Sequence, residues 1–366
     1  MEKGNKLFHV LDRWVGIPLV LFLGLIKKAL KTEYPKNIKR IGILNLGSIG
    51  DNVLMSAVIT DLFVQYPDAE IVLFTGSTNY GIAKLFEGVS KVIKLPITNP
   101  IKSIRILRDN RKFDVFFDFG PWPRLNSIYT FFAYSNYKIG FKTKKQFRHF
   151  IYDVKVNHRS DVHEIDNHRN LIKSFISTEH HKPALIVEQT QSMMEFINSL
   201  GKYCIIHPWA GGLKSDLKQW DNARWKELIS RISGTFDNIL ITGAPSDIVA
   251  TAELFSLMSD LFKSPIDVSG KFSISETVCL INNCSCVISV DTGIAHITAA
   301  LNRPLICLQG PANSNRWRPY NETSIVLNPE RGTFGYLNYG FEYYLANGNC
   351  MDNISVDCVY QAFLSL

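Results

Sequence analysis

The strongest constraint on the fold is an alternation of short apolar runs and helix-length segments that plays out once, stops, and starts again. The first series opens with Arg40-Ile41-Gly42-Ile43-Leu44-Asn45-Leu46, which ends in the turn Gly47-Ser48-Ile49-Gly50. A helix is predicted from Asp51 to about Gln65, with Leu54, Val58 and Leu62 spaced four apart on one face. Tyr66-Pro67-Asp68 stops it, because the residue before a proline is pushed out of the helical region. Ala69–Phe74, Lys91–Leu95 and Phe113–Asp118 read as further strands, the last preceded by a basic helix around residues 101–111. The second series is Tyr203–His207, Asn238–Thr242, Cys286–Val290 and Pro304–Leu308, each short, apolar and bounded by turn residues. Strands that alternate with helices pair in parallel and take helices on both faces, so each series predicts one doubly wound α/β domain.

A chain of 366 residues is also longer than one ordinary core supports. The expected division is a basic, apolar-centred extension over 1–38, a Rossmann-like domain over 39–188, a second over 200–345, and a final helix within 346–366. The polar stretch from Lys182 to Gly201 is the expected linker region. Ligands of open α/β sheets bind beyond the carboxyl ends of the strands, so the loops that follow the strands carry the functional information.

Composition narrows the class. Apolar residues at 46% and charged residues at 20% describe a folded chain and not a disordered one. The seven cysteines form no regularly spaced framework, and Cys284 and Cys286 have no second pair at zinc-site spacing, so a reducing, cytoplasmic compartment is expected. The net charge of +7 is concentrated at the start, where residues 1–40 hold nine Lys and Arg against three acids. Within that region Val15–Ile26 is an apolar stretch of 12 uncharged residues, followed by Lys27-Lys28. A bilayer-spanning helix needs about 20, and no small-residue cleavage site follows. Two readings stand: an interfacial anchor on an anionic cytoplasmic leaflet, or a helix packed on the protein's own surface.

Four loops carry candidate chemistry. The first, Leu46-Gly47-Ser48-Ile49-Gly50-Asp51-Asn52, joins a strand to a helix and lacks both the dinucleotide fingerprint and a P-loop lysine. Asp51 reads either as an N-terminal cap or as a carboxylate that takes a proton from an acceptor hydroxyl. The second, His207 to Trp220, is long and polar, and its Lys218 can neutralise a phosphate or lie solvated at the surface. The third is Thr242-Gly243-Ala244-Pro245-Ser246-Asp247, where Asp247 is a candidate for a ribose hydroxyl or, again, a cap. The fourth runs from Ser289 through Asp291-Thr292-Gly293 into a small-residue helix, whose first amides suit a diphosphate. His296 lies about one turn into that helix, where a lone histidine is more often a core residue than a ligand contact. Gln309-Gly310-Pro311 adds a loop at the same sheet edge.

Taken in order, Leu46–Asp51, Lys218-Gln219-Trp220, Gly243-Ala244-Pro245, Ser289–His296 and Gly310-Pro311 resemble glycosyltransferase family 9, the ADP-heptose:lipopolysaccharide heptosyltransferases. The resemblance runs from about Lys39 to about Asn328, with a weaker echo at Cys350-Met351. It implies a GT-B fold, with an acceptor domain first and a nucleotide-sugar domain second, facing across a cleft. By the same resemblance Asp51 matches the catalytic base and Lys218 the lysine on the donor phosphates. Asp247 matches an acidic ribose-binding position where the family pattern has Glu. Asp291, Thr292 and Gly293 match the diphosphate turn, His296 its histidine, and Phe272, in Lys271-Phe272-Ser273, the base pocket. Two departures border the donor site: a longer loop before Lys218, and Ala312-Asn313 in place of the family's Thr-Asp pair.

The expected activity is an inverting, metal-independent glycosyl transfer to a lipopolysaccharide-core or related lipid-linked acceptor, with ADP-heptose as donor and no cofactor. No credible metal-binding motif occurs. Asp114 and Asp118 look like strand-end residues, and the two histidines of His163–His168 are five apart where a zinc helix uses four. Between Ile101 and Phe150 eleven cations face three acids. Gly50, Lys142, Lys144, Lys145 and Arg148 are the expected acceptor contacts, with a phosphorylated lipid-linked oligosaccharide as the partner and the cytoplasmic face of a membrane, reached through residues 1–31, as the place. No nucleic-acid-binding module is recognisable. The alternatives are a family 9 transferase using another nucleotide sugar for a capsule or O-chain, and a catalytically silent nucleotide-sugar-binding scaffold at the membrane.

Overall fold

The computed structural model describes residues 6–30, 32–177, 180–212, 214–261, 263–338 and 349–366. The chain divides into two units, Met1–His181 and Lys182–Leu366. The first carries helices α1 (Lys6–Trp14) and α2 (Gly16–Ala29), then β1 (Arg40–Asn45), α3 (Ile49–Gln65), β2 (Glu70–Thr75), α4 (Tyr80–Ala83) and β3 (Lys91–Lys94). It continues with α5 (Pro100–Arg108), β4 (Val115–Asp118), α6 (Arg124–Phe132), β5 (Lys138–Lys142), β6 (Val154–Asn157) and α7 (Glu164–Ile172). The second unit carries α8 (Gln191–Ser199), β7 (Tyr203–His207), α9 (Asn222–Ile232), β8 (Asn238–Ile241), α10 (Ile248–Ser256), β9 (Ile266–Asp267) and α11 (Ile274–Asn283). It ends with β10 (Val287–Val290), α12 (Gly293–Ala300), β11 (Leu305–Leu308), α13 (Ser314–Trp317), β12 (Ser324–Leu327) and α14 (Val356–Leu364).

Each unit holds one six-stranded, all-parallel sheet. The orders are β3-β2-β1-β4-β5-β6 and β12-β11-β10-β7-β8-β9. Counted from the first strand of its own unit, each is 3-2-1-4-5-6, the doubly wound order. In both sheets the order reverses between the first and fourth strands, which places a crevice beyond the carboxyl ends of β1 and β4, and another beyond β7 and β10. The central strands are buried along their whole length, as parallel strands covered on both faces must be.

The strands missing from the sequence reading are β5, β6, β9 and β12. A lysine at each end and Gly140 between them break the apolar run of β5. The other three lie at or beside sheet edges; β6 and β12 are only partly buried and β9 is two residues long. The stretch from Lys182 to Gly201 holds a helix, α8, capped by Thr190 and burying Met193 and Ile197. Helix α14 buries Val356, Val359 and Ala362. The first residues of the expected C-terminal segment, 346–348, lie outside the described residues, as do 1–5 and 31 of the expected extension.

The N-terminal helices pack on the first unit. Val20 and Leu23 of α2 sit with Ile128, Ile151 and Tyr152 in one buried cluster. A side chain at Gly24 would collide with the Cβ of Phe150, so glycine lets the helix approach. Two ion pairs complete the seat: Lys27 with Asp153 at 2.8 Å, and Arg124 with Asp12 at 2.7 Å, all four side chains largely buried. Among the described residues no helix is long and apolar enough to cross a membrane.

Three of the eleven expected surface cations are interior groups. Arg148, expected to meet an acceptor, is fully buried, and its Nη2 donates to Asp118 Oδ2 at 2.6 Å. The same carboxylate oxygen accepts from the Tyr152 hydroxyl at 2.6 Å, and Arg148 also donates to that hydroxyl. The guanidinium therefore holds β4 to the turn after β5 through Nε and Nη2, and being fully buried it has no surface to offer. Arg124 is the second, and Lys138 the third: its Nζ donates to Phe131 O at 3.1 Å, and burial together with nearby Lys27 lowers its pKa to about 8.

Candidate functional site

In the second unit the loops after β7 and β10 converge at the reversal of strand order. The chain leaving β7 runs through His207 to a short 3-10 turn over Ser215–Lys218, while β10 leads directly into Asp291. These two ends meet: Lys218 Nζ lies 3.1 Å from Asp291 Oδ2, with the lysine side chain 21% exposed and the aspartate 9%. The lysine ammonium thus stands directly against the Asp291 carboxylate, beside a half-exposed turn. Asp291 N donates to Leu308 O, fixing the turn against β11.

Thr292 caps α12, its Oγ1 accepting from Ile294 N at 3.3 Å and lying 3.4 Å from the buried Ser289 Oγ. Gly293 is the first residue of the helix. The first turn of that helix and the Lys218 ammonium thus both adjoin Asp291, a local arrangement suited to a diphosphate. His296 is buried in α12, as an apolar-helix histidine is expected to be.

The remaining residues expected on the donor side sit on neighbouring loops of the same sheet. Asp247 Oδ2 accepts from Ala244 N at 2.8 Å and Oδ1 from Ser246 Oγ at 3.2 Å, so the cap reading of this carboxylate is visible in the structure. Phe272 follows β9 and packs on Phe196 of α8, ring centroids 5.3 Å apart. His207, at the end of β7, shares a 3.0 Å hydrogen bond with Thr242 Oγ1; burial, partly offset by Asp247, holds its pKa down at about 4. Asn313, at one of the departures from the family pattern, caps α13 through Asn315 N and donates to Asn338 Oδ1.

One residue gained significance only in three dimensions. Gln309 follows β11, directly beyond the register pair Val290–Leu308 and hence level with Asp291. It is fully buried, and neither its amide nitrogen nor its carbonyl oxygen has a hydrogen-bond partner among the described residues. Buried amides are almost always satisfied, so a group of this kind beside the Asp291 turn is a candidate ligand contact. The only sequence signal was its place in a loop at the informative sheet edge.

In the first unit the equivalent position belongs to Asp51. Ser48 caps α3, and Asp51 completes a capping box: its Oδ2 accepts from Ser48 N at 2.9 Å and Ser48 Oγ at 2.7 Å. Gly47 is required here, since a Cβ would sit 2.9 Å from Asp51 Oδ2. Gly50 is buried in the first turn of the helix. The cap reading of Asp51 is therefore realised, and it holds the carboxylate fixed at the switch point, where a general base would need to be.

Behind it lies a buried polar cluster. Glu164 accepts from His158 Nε2 at 2.9 Å and from Asn167 Nδ2 at 2.9 Å, and His168 Nε2 lies 3.9 Å from its Oε1. Burial drives the His168 pKa down to about 4, although Glu164 and Asp51 both pull it upward. The stretch His163–His168 is thus a hydrogen-bonded cluster, and among the described residues no group of three His, Cys, Asp or Glu side chains is placed to hold a metal ion. Lys142, Lys144 and Lys145 are exposed at the end of β5 and in the loop that follows.

The pattern of Glycosyltransferase family 9 (heptosyltransferase) matches residues 125–334. Lipooligosaccharide heptosyltransferase 2 of Haemophilus influenzae is 22% identical over 299 residues, covering 76% of this chain and 85% of that protein. The structure of the glycosyl transferase family 9 protein of Veillonella parvula superposes with a TM-score of 0.77 at 17% identity, over 92% of this chain and 98% of that one. The E. coli heptosyltransferase WaaC with ADP superposes with a TM-score of 0.69 at 21% identity, over 89% and 99%.

Proposed function

The chain belongs to glycosyltransferase family 9 and has its GT-B pair of doubly wound units; from that premise we propose that it transfers a heptose from ADP-heptose to a lipopolysaccharide-core or related lipid-linked acceptor, with inversion and without a metal. The observation that carries the reading is the meeting of Lys218 with the Asp291-Thr292-Gly293 turn at the switch point of the second sheet.

In this mechanism Asp51 takes the proton from the acceptor hydroxyl as its oxygen attacks the anomeric carbon. The bond from that carbon to the diphosphate oxygen breaks on the opposite side, and the nucleoside diphosphate leaves with the electron pair. The negative charge that grows on the leaving oxygen needs fixed donors, and Lys218 with the first amides of α12 supplies them. Asp291 repels phosphate by its own charge; its work is to orient the turn and to hold Lys218 until the donor arrives. Asp247 and Phe272 contact ribose and base, His296 supports the phosphate helix from within, and Lys142, Lys144 and Lys145 receive the acceptor's phosphates. Support for heptose and ADP comes from relatives named as heptosyltransferases, one of them solved with ADP.

The test is ADP release from ADP-heptose with a heptose-free core acceptor, before and after treatment with a chelator. Turnover that survives chelation is expected. Thermal stabilisation by GDP- or UDP-sugars but not by ADP-sugars overturns the donor assignment, and loss of turnover on chelation overturns the metal-free mechanism.

A further inference from the structure

Helix α2 is apolar on both sides, and only one side is used. Its inner face buries Val20, Leu23 and Gly24 against the first unit. On the outer face Phe22 is 60% exposed and Leu25 67%, with Leu21 and Ile26 beside them at about 40%. Trp14, at the end of α1, is 72% exposed. A helix that is hydrophobic all round belongs in a core or in lipid, and a patch of this kind on a folded protein marks a contact surface.

Cations border this stripe. Arg13 and Lys28 flank it on the helices themselves. Arg124, itself buried, brings up the rest of the border: its guanidinium holds Asp12 through Nη1 and the backbone carbonyls of Lys145 and Gln146 through Nη2 and Nε. One buried side chain thereby ties the helical pair to the loop that exposes Lys144, Lys145 and the 39% exposed ring of Phe147. A shallow groove of about 230 Å³, lined by Leu21, Gly24, Leu25, Lys28 and Phe150, opens beside them.

We propose that the outer face of α1–α2, with the Lys144-Lys145 loop, docks on an anionic lipid bilayer and lies in its interface without crossing it. At 14 residues α2 spans about 21 Å, short of the roughly 30 Å hydrocarbon layer. An apolar stripe with an exposed tryptophan and flanking lysines is the composition of an interfacial helix, and the cations match the charge of acidic headgroups. Because the inner face is seated by packing and two buried ion pairs, docking holds the whole first unit, not a tethered peptide, at a set angle to the membrane. The surface reading of the extension is seen on its inner face, and the proposal gives the membrane reading to the outer one.

The experiment is co-sedimentation of the full chain with vesicles of phosphatidylethanolamine and phosphatidylglycerol, compared with phosphatidylcholine vesicles. Binding is expected to the anionic vesicles, weakened by salt. The triple variant Trp14→Gln, Phe22→Gln, Leu25→Gln is expected to lose about 100-fold in partitioning, and Lys144→Glu with Lys145→Glu to lose the preference for anionic lipid. Unchanged melting temperature and ADP affinity show that fold and donor site are intact, so this result stands or falls apart from the proposed reaction. Equal binding by the triple variant overturns the proposal. So does a lipid-free dimer that the triple variant converts to monomer, since the face would then belong to a second copy. Deleting the helices is the poorer test: it uncovers Ile128, Ile151 and Tyr152 and strips Arg124 and Asp153 of their partners.

Discussion

Replacing Arg148 by methionine separates a structural cation from an acceptor-binding one. Arg148 and Asp118 are both fully buried, and the pair is 2.6 Å apart. Removing one partner of a buried pair leaves an uncompensated charge, at a cost of about 3–5 kcal/mol. Here Asp118 keeps two good donors, the Tyr152 hydroxyl on Oδ2 and Gly120 N on Oδ1 at 3.0 Å. Tyr152 stays protonated, because burial raises its pKa well above the ordinary range, so its O–H remains a donor. The remaining donors place the expectation at the lower end, about 3 kcal/mol. For a unit of this size that corresponds to a fall of about 6–12 °C in the melting temperature. Differential scanning calorimetry of the full chain reads this directly, and acceptor KM at a temperature below the transition reads the other possibility. The double variant Asp118→Asn, Arg148→Met removes both charges and is expected to recover more than about half of the loss. A melting temperature unchanged within ~2 °C, combined with an acceptor KM raised about tenfold, would refute the assignment and return Arg148 to the acceptor surface.

Other outcomes follow from the two switch points. Asp51→Asn keeps a capping oxygen and is expected to cost little stability while lowering kcat by about 10²–10⁴, read as ADP release under saturating acceptor. Lys218→Met is expected to weaken ADP binding about 10- to 100-fold by calorimetric titration, with Asp291→Asn in the same chain restoring part of it. Restoration fails if Lys218 and Asp291 act independently. Burial holds His168 and His207 near 4, below the ~6.5 of an unfolded imidazole. The unfolded chain therefore binds protons first: stability is complete above pH ~6.5 and declines as pH falls toward 4, by about 2 kcal/mol per histidine at pH 5. Urea midpoints at pH 7.5 and 5 check this, and His168→Gln flattens the profile if the cause is right.

Much of the turn after β10 was legible because its residues are local. Asp291, Thr292 and Gly293 are consecutive, and a strand running into a small-residue helix already says where amides will point. Asp51 and Ser48 form their capping box within four residues. What was not legible depended on distance along the chain. Arg148 sits among lysines in a basic loop, and only the pairing of β4 with β5 brings Asp118, thirty residues earlier, beneath it. Gln309 resembles any loop glutamine until β11 is set beside β10. The His163–His168 stretch lacks zinc-helix spacing, and the partner of its Glu164, His158, comes from outside the helix, past the end of β6.

The sequence by itself determined the class of fold, its duplication and the order of its ligand loops, since short apolar runs between helices admit one economical solution, a covered parallel sheet. It also determined that the N-terminal apolar stretch is too short to span a bilayer. Tertiary structure decided which charges face water. A lysine or arginine carries the same letter in a core as on a surface, and only the packing and the buried acceptors that the fold sets around it fix which it is. Asp118, Asp12 and Asp153 take Arg148, Arg124 and Lys27 inward, and leave Lys144, Lys145 and the outer face of α2 to meet whatever lies outside.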